Sequence, residues 1–253
     1  MGVLVFGSVV ADLVFALPSL PRPGLTVLGP GYRILPGGKG ANQATAAALD
    51  GAQSAFAGAV GADPLAVVAL SAMRAAGVDL SRLAVVGAPT ACAAVCVGPD
   101  GQNQIAVGSG ANRLARAAQV EAAALGPGTT LLLQMEVPAE ENAALIARAR
   151  AAGARVLLNL APAGELPRAA LGALDLLIAN EHEAAALGAG LGCAGSAAAL
   201  HAVLGIAVAV TLGEAGGGGG DRGGGADGAG FSGAGGGYHG GGGCLVRRAG
   251  RGA

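Results

Sequence analysis

The run TLLLQMEVPAEENAALIARARAAGARVLLN, Thr130 to Asn159, decides the architecture. Thr130–Gln134 reads as a strand, Ala139–Ala152 as a helix closed by Gly153, and Arg155–Asn159 as the next strand. The strand pieces are continuously apolar rather than alternating, as expected of strands buried on both faces of a parallel sheet. The same alternation extends toward the C-terminus: Asp175–Ala179 is a strand, Glu181–Leu187 opens a helix, Ser196–Leu204 is helical, and Val208–Leu212 is a strand. It also extends toward the N-terminus, through strand Val3–Phe6, helix Ala41–Leu49, strand Gln53–Val60 and helix Pro64–Ala76, stopped by Gly77. Strands alternating with helices predict an α/β fold, a mostly parallel central sheet with helices on both faces. Leu13–Leu17, Thr26–Leu35 and a Thr90–Val107 hairpin turning at Pro99-Asp100-Gly101 predict a small β lid.

In such folds ligands sit at the carboxyl ends of the strands. Asp12, Asn42, Glu136, Asn159, Asn180 and Thr211 all follow or approach a strand end.

Composition excludes several classes. Of 253 residues, 53% are hydrophobic, so a large core is available, while only 12% are charged and the net charge is -1. That excludes nucleic-acid binding driven by counterion release. Aromatics at 2% and no Trp disfavour base-stacking or sugar-stacking surfaces. Mean hydropathy is +0.58. The 30 uncharged residues between Glu183 and Glu214 nominally match a membrane span. Glycines and His201 interrupt them, and they divide into a helix and a strand, so no membrane association is expected. Met1–Phe6 lacks a basic stretch and reads as a strand rather than a secretory signal. In an extended strand Cys92 and Cys96 lie about 13 Å apart, too far for a disulfide. With Cys193 and Cys244 they are expected as reduced thiols, in a cytoplasmic protein.

The most specific motif is Pro36-Gly37-Gly38-Lys39-Gly40-Ala41-Asn42-Gln43-Ala44, a glycine turn feeding a helix. It is not a phosphate-binding Walker loop, because Gly40 follows Lys39 where Ser or Thr is needed. It offers close backbone approach at Gly37, Gly38 and Gly40, with Lys39, Asn42 and Gln43 beside it. A plain turn before a helix is the competing reading.

Gly7-Ser8-Val9-Val10-Ala11-Asp12 followed by this motif resembles the ribokinase-like sugar kinase family, also called the phosphofructokinase-B type. In family order come Leu133-Gln134-Met135-Glu136, Leu158-Asn159-Leu160-Ala161-Pro162-Ala163, Asn180-Glu181-His182-Glu183 and Thr211-Leu212-Gly213-Glu214-Ala215-Gly216. The resemblance spans residues 2 to about 216. It implies ATP-dependent phosphorylation of a sugar hydroxymethyl group, with ribose favoured by the Lys in Gly-Gly-Lys-Gly-Ala-Asn-Gln. Asp12, Gly38, Lys39, Gly40, Asn42 and Glu136 would line the sugar pocket. Asn180 and Thr211 to Gly216 would lie along ATP, and Glu183 would position Mg²⁺ through water, with a monovalent cation such as K⁺ as a further companion. The resemblance further implies pairing of two copies through the lid. Simpler roles compete: Asp12 as a turn cap, Glu183 as a first-turn helix acid and Lys39 as a solvated surface residue.

The resemblance breaks near the C-terminus. The family places its catalytic Asp after a Gly-Ala-Gly turn that forms an anion hole. Here Gly228-Ala229-Gly230 is followed by Phe231, so no catalytic base is assigned. Twenty of the 48 glycines fall after Ala215. Residues 1–215 are therefore expected as the kinase-like domain and 216–253 as a Gly-rich, degenerate and disordered tail. Loss of the base from a retained binding protein and off-frame translation of GC-rich DNA both account for such a tail, and the abrupt break favours the second.

Overall fold

The computed structural model describes residues 2–213 and the strand backbones of Gly217–Gly220 and Asp227–Gly228. Strands β1 (Gly2–Phe6), β4 (Gln53–Gly61), β5 (Asp79–Val86), β8 (Thr129–Leu133), β9 (Arg155–Asn159), β10 (Leu176–Asn180) and β11 (Ala207–Thr211) form a parallel sheet. Its order is β11-β10-β9-β8-β1-β4-β5. From β1 the chain winds outward through β4 to β5, then returns to β8 on the other side of β1 and winds outward to β11. The strand order therefore reverses between β1 and β8, where an open α/β sheet leaves a crevice at its carboxyl edge.

Both faces of the sheet are covered, which explains the unbroken apolar runs. Leu4, Phe6, Leu131, Leu133, Leu158 and Leu177 pack in one layer with Leu145, Ile146 and Ala149 of α4 (Ala139–Ala151) and Leu200 of α7 (Ala197–Leu204). Val3, Val5, Phe56, Leu132, Leu157 and Ile178 pack in the other layer with Ala41, Ala44 and Ala47 of α1 (Lys39–Leu49). Each fully buried Leu or Phe contributes about 1.5–3 kcal/mol through removal from water. The small Ala residues of α1 let this helix lie close against the sheet, which matters because its first turn enters the site.

The lid is a separate four-stranded sheet ordered β3-β2-β6-β7, made of β2 (Val10–Ala16), β3 (Tyr32–Gly37), β6 (Cys92–Val97) and β7 (Asn103–Gly108). A small cluster of Val10, Val14, Ala91, Ala93 and Val95 holds it together. Tyr32, Ile34, Ile105 and Val107 remain exposed.

Several sequence expectations need correction. Residues 26–31 of the expected Thr26–Leu35 strand are not in the sheet; pairing starts at Tyr32, after Pro30 and the glycines around it. The expected helix Pro64–Ala76 is two pieces, α2 (Pro64–Ala69) and α3 (Ser71–Ala75), where Ser71 Oγ donates to the Val68 carbonyl at 2.7 Å and competes with the helical pattern. Edge strand β5 and the one-turn helix α5 (Arg168–Leu171) were not anticipated, one half-buried and the other too short for a periodic signal. Helix α6 (Glu181–Leu191) runs past Leu187 to a left-handed stop at Gly192. After β11 the backbone continues the sheet in the expected tail. Gly217–Gly220 (β12) pairs antiparallel with β11, and Asp227–Gly228 (β13) pairs with β12. These six residues carry ladder pairing where composition alone argued none, because glycine still brings both backbone hydrogen-bonding groups. The rest of the expected disordered segment lies outside the described residues.

Candidate functional site

The crevice at the β1/β8 reversal gathers residues from four distant segments. Leaving β1, Ser8 is fully buried and donates its hydroxyl proton to Glu136 Oε2 at 2.5 Å. Glu136 leaves β8 and also takes the Lys39 backbone N–H on Oε2 at 3.2 Å and the Lys39 ammonium on Oε1 at 3.0 Å. Lys39 is thus an ion-paired member of the site rather than a free surface lysine. Its side chain stays 40% exposed, so the pair adds at most about 1 kcal/mol to stability and serves chiefly to orient.

The glycines are needed here for space. Gly38 has φ 94°, and a Cβ on it would stand 2.8 Å from Val9 Cα and 2.9 Å from the Ser8 carbonyl oxygen. Gly40 donates its N–H to Ser8 Oγ at 3.3 Å, and Ala41 donates to the Ser8 carbonyl at 2.9 Å. The turn is pressed against the chain leaving β1, which a simple connector would not require. On the other side Asn112 holds Val9 by two bonds of 3.1 Å, accepting from its N–H and donating to its carbonyl.

Asp12 lies on β2 against Gly37, where a Cβ would sit 2.1 Å from its carboxylate oxygen. No hydrogen-bond partner for that carboxylate is found among the described residues. Burial raises its pKa above the usual carboxylate value, repulsion from Glu136 raises it further, and attraction to Lys39 partly offsets both. The result is a partly desolvated acceptor pair with no protein donor, beside an ammonium and a second carboxylate. Such a set suits a neutral ligand carrying several hydroxyl groups. Asn42 sits exposed on the first turn of α1.

Farther along the carboxyl edge, Asn180 caps α6. Asn180 Oδ1 accepts the Glu183 N–H and Glu183 Oε2 accepts the Asn180 N–H, both at 2.8 Å. The helix-acid reading of Glu183 is therefore correct in part: one carboxylate oxygen is committed to the cap. Thr211 ends β11, and Gly213 turns the chain at φ 57°. Leu212 is half-buried between them. With strands about 4.8 Å apart, Asn180 and Thr211 lie roughly 14–19 Å along the edge from β1, the span of a nucleoside triphosphate. Glu214, Ala215, Gly216, Ala229, Gly230 and Phe231 lie outside the described residues, and Gly228 is seen only as backbone in β13. No group of three or more His, Cys, Asp or Glu side chains suited to a metal occurs among the described residues. Glu183, with one oxygen uncommitted, fits only an ion shared with phosphate groups and water.

An open cleft of about 520 Å³ lies at the opposite, amino-terminal edge of the sheet. Its one cation, Arg82, is already bound to Asp79 and Glu121. The sequence places Gln43 beside the turn and Ser8 and Gln134 within the quoted motifs, but it marks none of the bonds that these residues and Asn112 make in forming the site. A polar side chain directly after an apolar strand was the available signal for Ser8 and Gln134.

The fold is that of a doubly wound α/β protein whose polar cluster lies at the sheet's reversal point. The model of the pfkB family carbohydrate kinases matches residues 2–217, and the chain belongs to that family. It is 37% identical to the ribokinase of Haemophilus influenzae over 185 residues, 71% of this chain and 60% of that protein. It is 34% identical to the ribokinase of Bacillus subtilis over 192 residues, 73% of this chain and 64% of that protein. The chain thus spans less than two thirds of the length of these relatives. Among solved structures, Thermotoga maritima ribokinase superposes with a TM-score of 0.81 at 27% identity, covering 92% of this chain and 78% of that one. Arabidopsis thaliana ribokinase, complexed with ribose and ATP, gives 0.73 at 28% identity, covering 88% and 75%. No helix of the described residues is long and apolar enough to cross a membrane.

Proposed function

We propose that the chain binds D-ribose at Asp12, Lys39 and Glu136 and takes part in its ATP-dependent phosphorylation to ribose 5-phosphate. The observation that carries this reading is the Asp12 carboxylate, partly desolvated and without a protein donor, facing a crevice floored by the Gly38–Gly40 turn. Asp12 accepts two sugar hydroxyls, Glu136 holds Lys39 so that its ammonium donates to another, and Asn42 closes the open side. The glycine turn lets the sugar approach the backbone. ATP lies along Asn180 and the Thr211–Gly216 turn, with its transferred phosphoryl directed toward the sugar hydroxymethyl. Glu183 would hold Mg²⁺ through water, the ion supplying neutralisation of phosphate charge, and K⁺ would be a further companion ion.

The sugar hydroxyl must also lose a proton. On the family pattern this falls at Phe231, which cannot accept one, so transfer by this chain is slowed by about 10²–10⁴-fold. Two copies pair through the lid, covering Tyr32, Ile34, Ile105 and Val107. The need for ATP and the free thiols of Cys92, Cys96 and Cys193 support a cytoplasmic setting.

Ribose-dependent formation of ribose 5-phosphate, followed by mass spectrometry, tests the reading. Slow, ribose-dependent product that Asp12→Asn abolishes is expected. No ribose binding at millimolar concentration would overturn the assignment, and fast transfer by the unmodified chain would show that the base lies elsewhere.

A further inference from the structure

We propose that Gln134 and Gln43 form a buried positioning pair that holds the Gly38–Asn42 turn in its ligand-binding geometry from beneath the site. Gln134 is fully buried and Gln43 is 4% exposed. Gln134 Nε2 donates to Gln43 Oε1 at 2.6 Å, joining the end of β8 to α1 one turn past Lys39. The rest of the Gln134 amide fills the room left by two glycines. A Cβ on Gly7 would stand 1.8 Å from Gln134 Oε1, and one on Gly40 would stand 2.9 Å from it. The residue is also anchored by its main chain, because Asn142 on α4 donates Nδ2–H to the Gln134 carbonyl at 2.7 Å. Two positions on, Glu136 grips Lys39. The chain leaving β8 therefore holds the start of this helix at both ends of its first turn, at Gln43 from inside and at Lys39 from the crevice.

The arrangement carries a cost that an apolar residue would avoid. Gln134 Oε1 and Asn142 Oδ1 are buried without hydrogen-bond partners among the described residues. Methionine matches glutamine in length and could fill the same space without an orphaned oxygen. A buried polar pair kept at such a cost specifies one geometry where packing alone permits several. The geometry specified is that of Gly40 and Ala41, whose amides meet Ser8. The pair touches no ligand; it acts on the sugar through the turn.

The proposal rests on the ribose reading of the crevice for its affinity readout and on amide exchange for a readout that needs no ligand. The test variant is the double substitution Gln43→Met, Gln134→Met, which leaves neither partner orphaned and preserves volume. Amide exchange at Gly40 and Ala41 is expected to rise roughly fivefold or more, while Leu131 and Leu132 stay protected and ribose Kd rises by a similar factor. A rise of less than about fivefold at Gly40 and Ala41 overturns the proposal. Gln43→Glu, which keeps an acceptor for Gln134 Nε2–H, supplies the conservative rescue and a second route should the double variant not fold. Its exchange is expected to stay within roughly fivefold of the parent, and a larger rise removes the hydrogen bond as the determinant. A parent chain that binds no ribose but shows the exchange pattern sinks the ribose reading and leaves the positioning pair standing.

Discussion

The two ends of the carboxyl edge are built differently. At β1/β8, Ser8, Lys39, Asn112 and Glu136 come from segments up to 128 residues apart and are held by tertiary bonds, with the Asp12 carboxylate, unbonded among the described residues, beside them. At β10/β11, Asn180 and Glu183 are three residues apart and satisfy each other as a helix cap. The first is an arrangement that only the finished fold can make. The second is formed by the local chain and needs only α6. Substitutions at the first should strike sugar affinity or the turn itself, and those at the second should move stability and the nucleotide end while leaving sugar affinity unchanged.

The largest effect is expected where the glycine turn meets backbone. Gly38→Ala and Gly40→Ala should each lower stability by about 3 kcal/mol and abolish sugar binding, measured by chemical denaturation and titration calorimetry. Gly77→Ala is the internal control: φ is 72° there but nothing lies within 4 Å of a new Cβ, so only about 1–2 kcal/mol of backbone strain is expected. Equal losses at Gly38 and Gly77 would show that the turn is not pressed against Ser8 and Val9.

Asp12→Asn should weaken sugar binding about 100-fold, because a charge-assisted acceptor is lost. It should not lower the melting temperature. Burial raises the folded-state pKa of Asp12, so its ionised form opposes folding at neutral pH, and the amide removes that opposition.

At the other end, Asn180→Ala should cost about 1 kcal/mol through loss of the cap and leave ribose affinity unchanged. A loss of ribose affinity there would erase the distinction between the two ends.

A smaller effect separates the lid junction from both. Asp63 caps α2 through the Ala66 N–H at 3.1 Å and also accepts the Thr90 N–H at 2.7 Å, just before β6. These bonds, Thr90 first, hold its pKa below the usual carboxylate value. Its contribution is therefore present above the unfolded-state pKa and lost as pH falls through the depressed folded value. Asp63→Ala should cost about 1 kcal/mol at pH 7, and the difference from the parent should close in acid.

The sequence disclosed the repeating elements and the local motifs well, for physical reasons. Parallel strands buried on both faces leave apolar runs such as Leu131–Leu133, and the Asn180/Glu183 spacing is itself a cap signal. The glycine turn was legible as a site because glycines precede the helix directly. That Lys39 is ion-paired was not, since its partner lies 97 residues away. Gln134 and Gln43 were hidden for the same reason: nothing in a chain marks which buried amide meets which. The edge strand β5 escaped because a half-buried strand at a sheet edge has neither a full apolar run nor strict alternation. Glycine-rich β12 escaped because ladder bonds are made by backbone that composition does not report.

On the proposed function, Asp12 receives the sugar as a carboxylate in the β1/β8 crevice. Titration calorimetry with D-ribose between pH 4 and 8 (about four pH units around and above the carboxylate range) tests it most directly on the parent chain and Asp12→Asn. Asp12 must be ionised to accept two hydroxyls, so the parent should bind most tightly at neutral pH and lose affinity as pH falls through the raised pKa. Asp12→Asn should bind weakly with no such fall. Equal affinities in parent and variant, or a parent affinity that does not decline in acid, would contradict the account.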